Sequence, residues 1–288
     1  MTIKNPIEWS GARVVDAAHL IRSAGHSLHH IQDTIHSPAP TIRRIRVLDL
    51  REVLAKGADD FGAYRSDVLF LCTIYPAVGL ILARFAFGMD LIPLLFPLAS
   101  GFAIVGPFAA AFLYEMSRLR EQGVEARWVN AFDVFKAPAI GAISILDLLL
   151  IAIFLAWLVT AWTIYQNTLG PTLPARSIGV FVHDVFRTPA GQTMIVLGMG
   201  TGFLFALLAM TISLVSFPLL LDRDTGLDTA IKTSIRAVIA NPLPMAVWGL
   251  IVAGGLVLGS IPLFVGLAVA VPILGHSTWH LYRKLVAY

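Results

Sequence analysis

Residues 101–123 read GFAIVGPFAAAFLYEMSRLREQG, an apolar run that stops abruptly at Glu115, Arg118, Arg120 and Glu121. Such a boundary reads as a membrane span meeting water. The change recurs in residues 216–226, SFPLLLDRDTG, where apolar residues reach Leu221 and Asp222, Arg223 and Asp224 follow. Working outward from these two exits, six apolar segments can be drawn, at about 68–87, 91–114, 139–164, 193–221, 243–260 and 261–281. The last two cover about 39 residues around Gly259, Ser260 and Pro262, enough for two spans and a tight turn because one span needs about 20. One long broken hairpin is the alternative.

With 57% hydrophobic and 14% charged residues, the chain departs from soluble proteins and is expected to be an integral membrane protein. A formal net charge of +3, with no stretch interleaving basic and aromatic residues, argues against nucleic acid as a partner. The single cysteine, Cys72, excludes a disulfide within the chain and reads as a small buried hydrophobe. The start of the chain is polar or amphipathic, so no cleavable signal peptide is expected and the first span directs insertion. The domain division is 1–66, a cytoplasmic amphipathic and basic region, and 67–288, a six-span domain.

Orientation follows from charge. With the N-terminus cytoplasmic, 18 of the 21 Lys and Arg fall on that side, leaving only Arg84, Arg176 and Arg187. The positive-inside rule then sets both termini in the cytoplasm.

Before the first span, residues 10–36 carry Val14, Ile21, Leu28 and Ile35 at heptad spacing, which predicts an amphipathic helix on the membrane or on a partner. His26 and His30 have i, i+4 metal-ligand spacing on its polar face. No third ligand at fixed spacing accompanies them, so a solvated face is expected. Ser37 to Pro40 break this helix. A second basic amphipathic piece follows, and its Arg43, Arg44 and Arg46 are placed to meet anionic headgroups.

Two cytoplasmic loops look alike. The first sets Trp128, Val129, Phe132 and Phe135 on one helical face; the second sets Leu227, Ile231, Ile235, Val238 and Ile239 there, with Thr225 and Asp228 spaced as a capping pair. Each ends at a proline, Pro138 or Pro242, that opens the next span. The repeat of span, surface helix and span suggests a parallel duplication. On the outer side, IGVFVHDVF predicts a short interfacial helix whose His183 and Asp184 form an exposed pair. Small residues four apart, Gly198 with Gly202 and Gly255 with Gly259, favour close helix packing.

Asp147 is the one acid well inside a span. Nine residues beyond Pro138, at ~1.5 Å each, it lies roughly 13 Å into a core about 30 Å thick. His276, about 10 Å back from Arg283, has similar depth, which predicts an Asp147–His276 pair. His276 and His280, i and i+4, are also a candidate metal pair. Trp279 and Tyr282 suit an aromatic belt, with Arg283 and Lys284 anchoring the cytoplasmic edge.

The segments IRRIRVLDLREVLAKGADDF, GFAIVGPFAAAFLYEMSRLREQG, SFPLLLDRDTGLDTAIKTSIRAVIANP and PILGHSTWHLYRKLV resemble an uncharacterised family of bacterial integral membrane proteins, a domain of unknown function. Some members carry a cytochrome c oxidase subunit label. The resemblance spans about residues 40–287 and implies a multi-span inner-membrane protein, with no catalytic residues to carry over. A catalytic oxidase subunit does not fit, because His276 and His280 lie on one helix and cannot ligate a haem iron from opposite sides.

The expected fold is thus all-α, with six transmembrane helices. The expected role is a non-enzymatic accessory or assembly protein, beside a respiratory complex, with the bilayer and a membrane-protein partner or second copy as partners and no cofactor. The alternatives are a small transporter or channel built on Asp147 and a metal-binding protein using His276 and His280. Topology reporters near Thr172 are expected to read periplasmic, and those near Thr229 and after Tyr288 cytoplasmic. A cytoplasmic signal at Thr172 would remove the six-span reading.

Overall fold

The computed structural model describes residues 38–64, 84, 92–124, 138–171, 177–262 and 265–287. The predicted helix at 10–36 with its histidines, the segment 68–87 apart from Arg84, and the first surface helix with Trp128 and Phe132 lie outside these residues. The fold is mostly helical. A short strand β1 (Thr41–Ile42) precedes α1 (Asp49–Ala63). A 3-10 turn (Ile92–Leu94) then leads into α2 (Leu95–Glu121), followed by α3 (Ile140–Asn167), α4 (Ile178–Arg187) and α5 (Pro189–Ser213). The chain continues through α6 (Ser216–Asp222), α7 (Leu227–Ala240), α8 (Pro242–Ser260), α9 (Leu267–Leu285) and β2 (Val286–Ala287).

Among the described residues, three helical stretches are long and apolar enough to cross a membrane: Ile140–Asn167, Pro189–Asp222 and Pro242–Ser260. Their outward faces are strongly apolar. Leu148 and Val159 on α3, Val196 and Phe203 on α5, and Leu250 and Val257 on α8 are all exposed. No water-soluble fold tolerates this much contiguous apolar surface, whereas hydrocarbon does.

The quoted exit is not where a helix ends. α2 runs through Glu115 to Glu121 and stops in a Schellman motif, in which Val124 N–H donates to the Leu119 carbonyl (3.0 Å) and Gly123 N–H to that of Arg120 (3.0 Å). Gly123 has φ of 74°, which glycine adopts without steric cost. Glu115 is buried and held by Arg118 at 2.8 and 2.6 Å. Its predicted contact with water is corrected, because α2 stays in protein through Ser117 and reaches solvent only from Arg120 onward. The second exit does coincide with a helix end, at Asp222. The apolar segment before it is interrupted at Leu214 and Val215, where Val215 N–H donates to Ser234 Oγ on α7 (3.2 Å).

The last two apolar segments are separate helices. An added Cβ on Gly266 would lie 2.8 Å from the Gly259 carbonyl oxygen, so the α8–α9 turn closes on backbone contact. Gly202 lies against the Trp157 ring, and Gly198 has open space around it. The capping pair expected for α7 is not made: the N-cap is Gly226, with no side-chain capping bond, and Thr225 Oγ1 is buried without a hydrogen bond. α4 forms as predicted, capped by Ser177 Oγ accepting from Val180 N–H (3.4 Å). His183 touches Asp184 there at 3.3 Å on an exposed surface.

The two ends of the described chain meet. β1 pairs antiparallel with β2, Thr41 opposite Ala287 and Ile42 opposite Val286. α1 then lies along α9, burying Leu50, Val53, Gly57 and Asp60. The approach is closest at Gly57, where an added Cβ would stand 2.0 Å from Ser277 Oγ, 2.7 Å from Ser277 N and 2.8 Å from the Ile273 carbonyl oxygen. Backbone atoms cannot swing aside, so Gly57→Ala must push α1 off α9. Thermal unfolding in detergent is expected to show a loss of about 1–3 kcal/mol, as for other overpacked contacts. Gly62→Ala, with nothing within 4 Å of the new Cβ, should be neutral or slightly stabilising.

Candidate functional site

The polar centre of the molecule is Asp60, only 4% exposed on α1. Helical spacing puts it there: Leu50, Val53, Gly57 and Asp60 fall at i, i+3, i+7 and i+10, so the face that docks on α9 ends in an acid. Two other helices supply its partners. Arg120 of α2 donates from Nη1 to Oδ1. Ser117, one turn earlier on α2, donates to Oδ2 at 2.6 Å, and His280 of α9 donates to Oδ2 from Nε2 at 2.8 Å.

His276, one turn before His280, completes the group. Its Nδ1 is 2.8 Å from Ser117 Oγ and 4.0 Å from Asp60 Oδ2. Ser117 has one hydroxyl proton, and an ionised Asp60 can only accept. Ser117 must therefore donate to Asp60 and accept from His276, which fixes the proton of His276 on Nδ1. The other nitrogen, Nε2, is buried without a hydrogen bond of full geometry, although the Leu113 carbonyl acts on the ring. The result is a chain from the fully buried His276 through Ser117 and Asp60 to the part-exposed His280.

Burial on its own would raise the Asp60 carboxyl. The hydrogen bonds from His280 and Ser117 outweigh it and hold the carboxyl below its ordinary value. A second set of contacts ties the same helices at their ends. Trp279 Nε1 donates to Glu121 at 3.1 Å, Tyr282 donates to Asp222 at 2.7 Å, and Arg283 reaches both acids at 3.1 and 3.3 Å. Lys284 donates to Glu52 at 2.6 Å; this bond, followed by that from Lys56, lowers the Glu52 carboxyl to about 2.

The structure thus separates two residues that sequence depth had joined. Among the described residues no hydrogen bond or ion pair links Asp147 to His276, whose carboxylate neighbour is Asp60. Equal depth does not imply adjacency, and α3 and α9 are not neighbours in the bundle. Asp147 is half-buried on α3. Trp279 and Tyr282 are buried and bonded to helix ends, so they form no aromatic belt. His276 and His280 do share one carboxylate, yet no group of three His, Cys, Asp or Glu among the described residues is placed to hold a metal. The Arg120 guanidinium on Asp60 already supplies the positive charge that a metal would bring. Arg43, Arg44 and Arg46 are exposed and extended ahead of α1, with Arg46 facing Asp49 at 3.7 Å.

Residues 94–222 match the model of a family described as "Predicted integral membrane protein (DUF2189)". That segment is similar to this family and spans less than half of the chain. No curated protein and no solved structure matches the chain. The DUF2189 segment covers α2 to α6, so Ser117 and Arg120 lie within it, whereas Asp60, His276 and His280 lie outside. The family description names an integral membrane protein and no activity.

Asp60→Asn is expected to destabilise the protein by about 1–3 kcal/mol, less than the 3–5 of a fully buried pair because Arg120 is partly exposed. Arg120→Gln in the Asp60→Asn background should add little, since the two form one unit. The folded carboxyl is held below the ordinary value of about 3.9, so its contribution is complete above that pH and lost as pH falls through the lower folded value. Asp60→Asn should therefore flatten the acid limb of the stability profile below about pH 4 and leave its neutral part parallel to wild type.

Proposed function

We propose that this chain is a six-span protein of the bacterial inner membrane with both termini cytoplasmic, and that it acts as a non-enzymatic accessory or assembly protein. The observation that carries this reading is that the Asp60 carboxylate is satisfied within the protein. Both carboxylate oxygens are occupied, by Arg120 on one side and by Ser117 and His280 on the other. A general base or a transport site needs an accessible lone pair or a vacant partner, whereas a docking lock needs closed contacts. In this reading the lock holds 38–64 of the N-terminal region against the six-span domain. The heptad stripe Val14, Ile21, Leu28 and Ile35 is then the surface offered to a membrane-protein partner or second copy. α7 supports one half of the duplicated span, surface helix and span unit.

A second reading rests on a specific observation. Asp147 sits in the apolar α3 with no hydrogen bond or ion pair among the described residues, and a lone intramembrane acid favours a proton or ion site.

Cross-linking in native membranes separates the two. Replacing Val14, Ile21, Leu28 and Ile35 with serine should abolish a discrete cross-linked species and leave thermal stability unchanged, while Asp147→Asn should leave that species intact. A proton or cation flux in proteoliposomes that Asp147→Asn abolishes would instead establish the transport reading. Stoichiometric metal lost in His280→Ala would overturn both.

A further inference from the structure

α7 lies between two helices long and apolar enough to cross the membrane, Pro189–Asp222 and Pro242–Ser260, so it sits where both leave the bilayer on the same side. Its surface is divided in three. Thr229, Ala230, Thr233, Ser234 and Ala237 are buried against the bundle. At 100° per residue, Ile231, Ile235 and Ile239 come next, followed by Lys232 and Arg236 on the exposed edge. The ridge becomes more exposed toward the helix end, where Ile239 is 71% exposed and Leu243, at the start of α8, 66%. Leu243 in turn begins the outward stripe that continues through Leu250 and Val257. The ridge of the surface helix is continuous with a hydrocarbon-facing surface.

Charge is brought to this ridge by a buried side chain. Asn241 Oδ1 accepts from Ile45 N–H at 2.8 Å, and its Nδ2 donates to the Arg43 carbonyl at 3.1 Å and to that of Ala237 at 3.0 Å. One asparagine, 2% exposed, therefore clamps the Arg43–Ile45 backbone to the end of α7, two residues from Ile239 and from Leu243. Arg43, Arg44 and Arg236 are exposed and have no carboxylate partner among the described residues, whereas Arg46 faces Asp49 and Lys232 is bonded to Asp228 at 3.0 Å.

We propose that the end of α7, with the Arg43–Arg44 segment clamped on it by Asn241, binds the phosphate headgroups of anionic phospholipids. Ile239 and Leu243 enter the acyl boundary, and the three arginines meet the phosphates. Unpaired guanidiniums beside an apolar ridge complement an anionic headgroup over an acyl chain, and arginine takes phosphate through paired N–H groups. The proposal rests on α5 and α8 crossing the bilayer, and is independent of any protein partner.

The test uses the full chain in nanodiscs of phosphatidylcholine with a minor fraction of phosphatidylglycerol, with retained lipid measured by native mass spectrometry. Wild type is expected to retain phosphatidylglycerol in excess of its share. Each of Arg43→Gln, Arg44→Gln and Arg236→Gln should weaken that preference roughly fivefold, and raised salt should weaken it in wild type. Arg46→Gln and Lys232→Gln, which remove cations already facing acids, should leave it nearly unchanged. Asn241→Ala should reduce retention with all the arginines present. Equal weakening by the paired and unpaired cations would overturn the proposal in favour of a diffuse surface charge. Loss of retention on adding inorganic phosphate at matched ionic strength would assign the site to free anions. If the topology reporters fail, the span reading fails first; if they hold and the lipid preference is absent, only this proposal falls.

Discussion

A carboxylate closed off from water has to be neutralised where it stands, and the arrangement of helices around Asp60 follows from that requirement. The acid lies on α1, and its partners come from two other helices. Arg120 and Ser117 are one turn apart on α2, and His276 and His280 one turn apart on α9. Each pair presents both members to the same side because i, i+3 and i, i+4 residues share a helical face. Removing any helix would leave a charged or polar group uncompensated in a low-dielectric interior, at a cost several times that of a lost surface ion pair. Gly57 extends the same logic to sterics, since the acid reaches its partners only because α1 can approach the α9 backbone without a side chain between them.

The apolar pattern carried most of the architecture. Helices at Ile140–Asn167 and Pro242–Ser260 begin and end within a few residues of the segments drawn from hydropathy, and the α8–α9 turn falls where Gly259 and Pro262 lie. What was not legible is the set of contacts between distant segments. Asp60 and His280 are separated by 220 positions, and nothing local in either tells which face meets which. A trace was present: an acid continuing the Leu50, Val53, Gly57 stripe marks a docking face that needs a cation. The Asp147–His276 expectation failed for the complementary reason, that depth along the membrane normal is one coordinate and adjacency requires the other two.

Charge at a span end illustrates the same ambiguity. Glu115, Arg118, Arg120 and Glu121 look in sequence like the point where α2 meets water, yet the helix continues and these residues form its most connected part. Glu115 takes Arg118 within its own helix, Arg120 reaches α1, and Glu121 binds Trp279 and Arg283 of α9. Hydropathy reports where a helix ceases to suit lipid. It does not distinguish water from a polar protein contact: Glu115 is buried, whereas Arg120 and Glu121 are exposed and still bonded to α1 and α9.

α7 shows how such a boundary can be used. An ordinary amphipathic helix of a soluble protein turns its largest apolar residues inward, but the fully buried face of α7 is threonine, serine and alanine, with Leu227, Ile231 and Val238 packed at the edge of the core and Ile239 left outside. Small residues allow close backbone approach, and Ser234 uses it to reach Val215 N–H at the break between α5 and α6. Large apolar residues facing outward are destabilising against water and stabilising against acyl chains. If the two apolar helices flanking α7 cross the bilayer, the arrangement follows from its solvent: the small face suits protein, the exposed Ile239 end suits hydrocarbon, and the basic edge suits the headgroups between them.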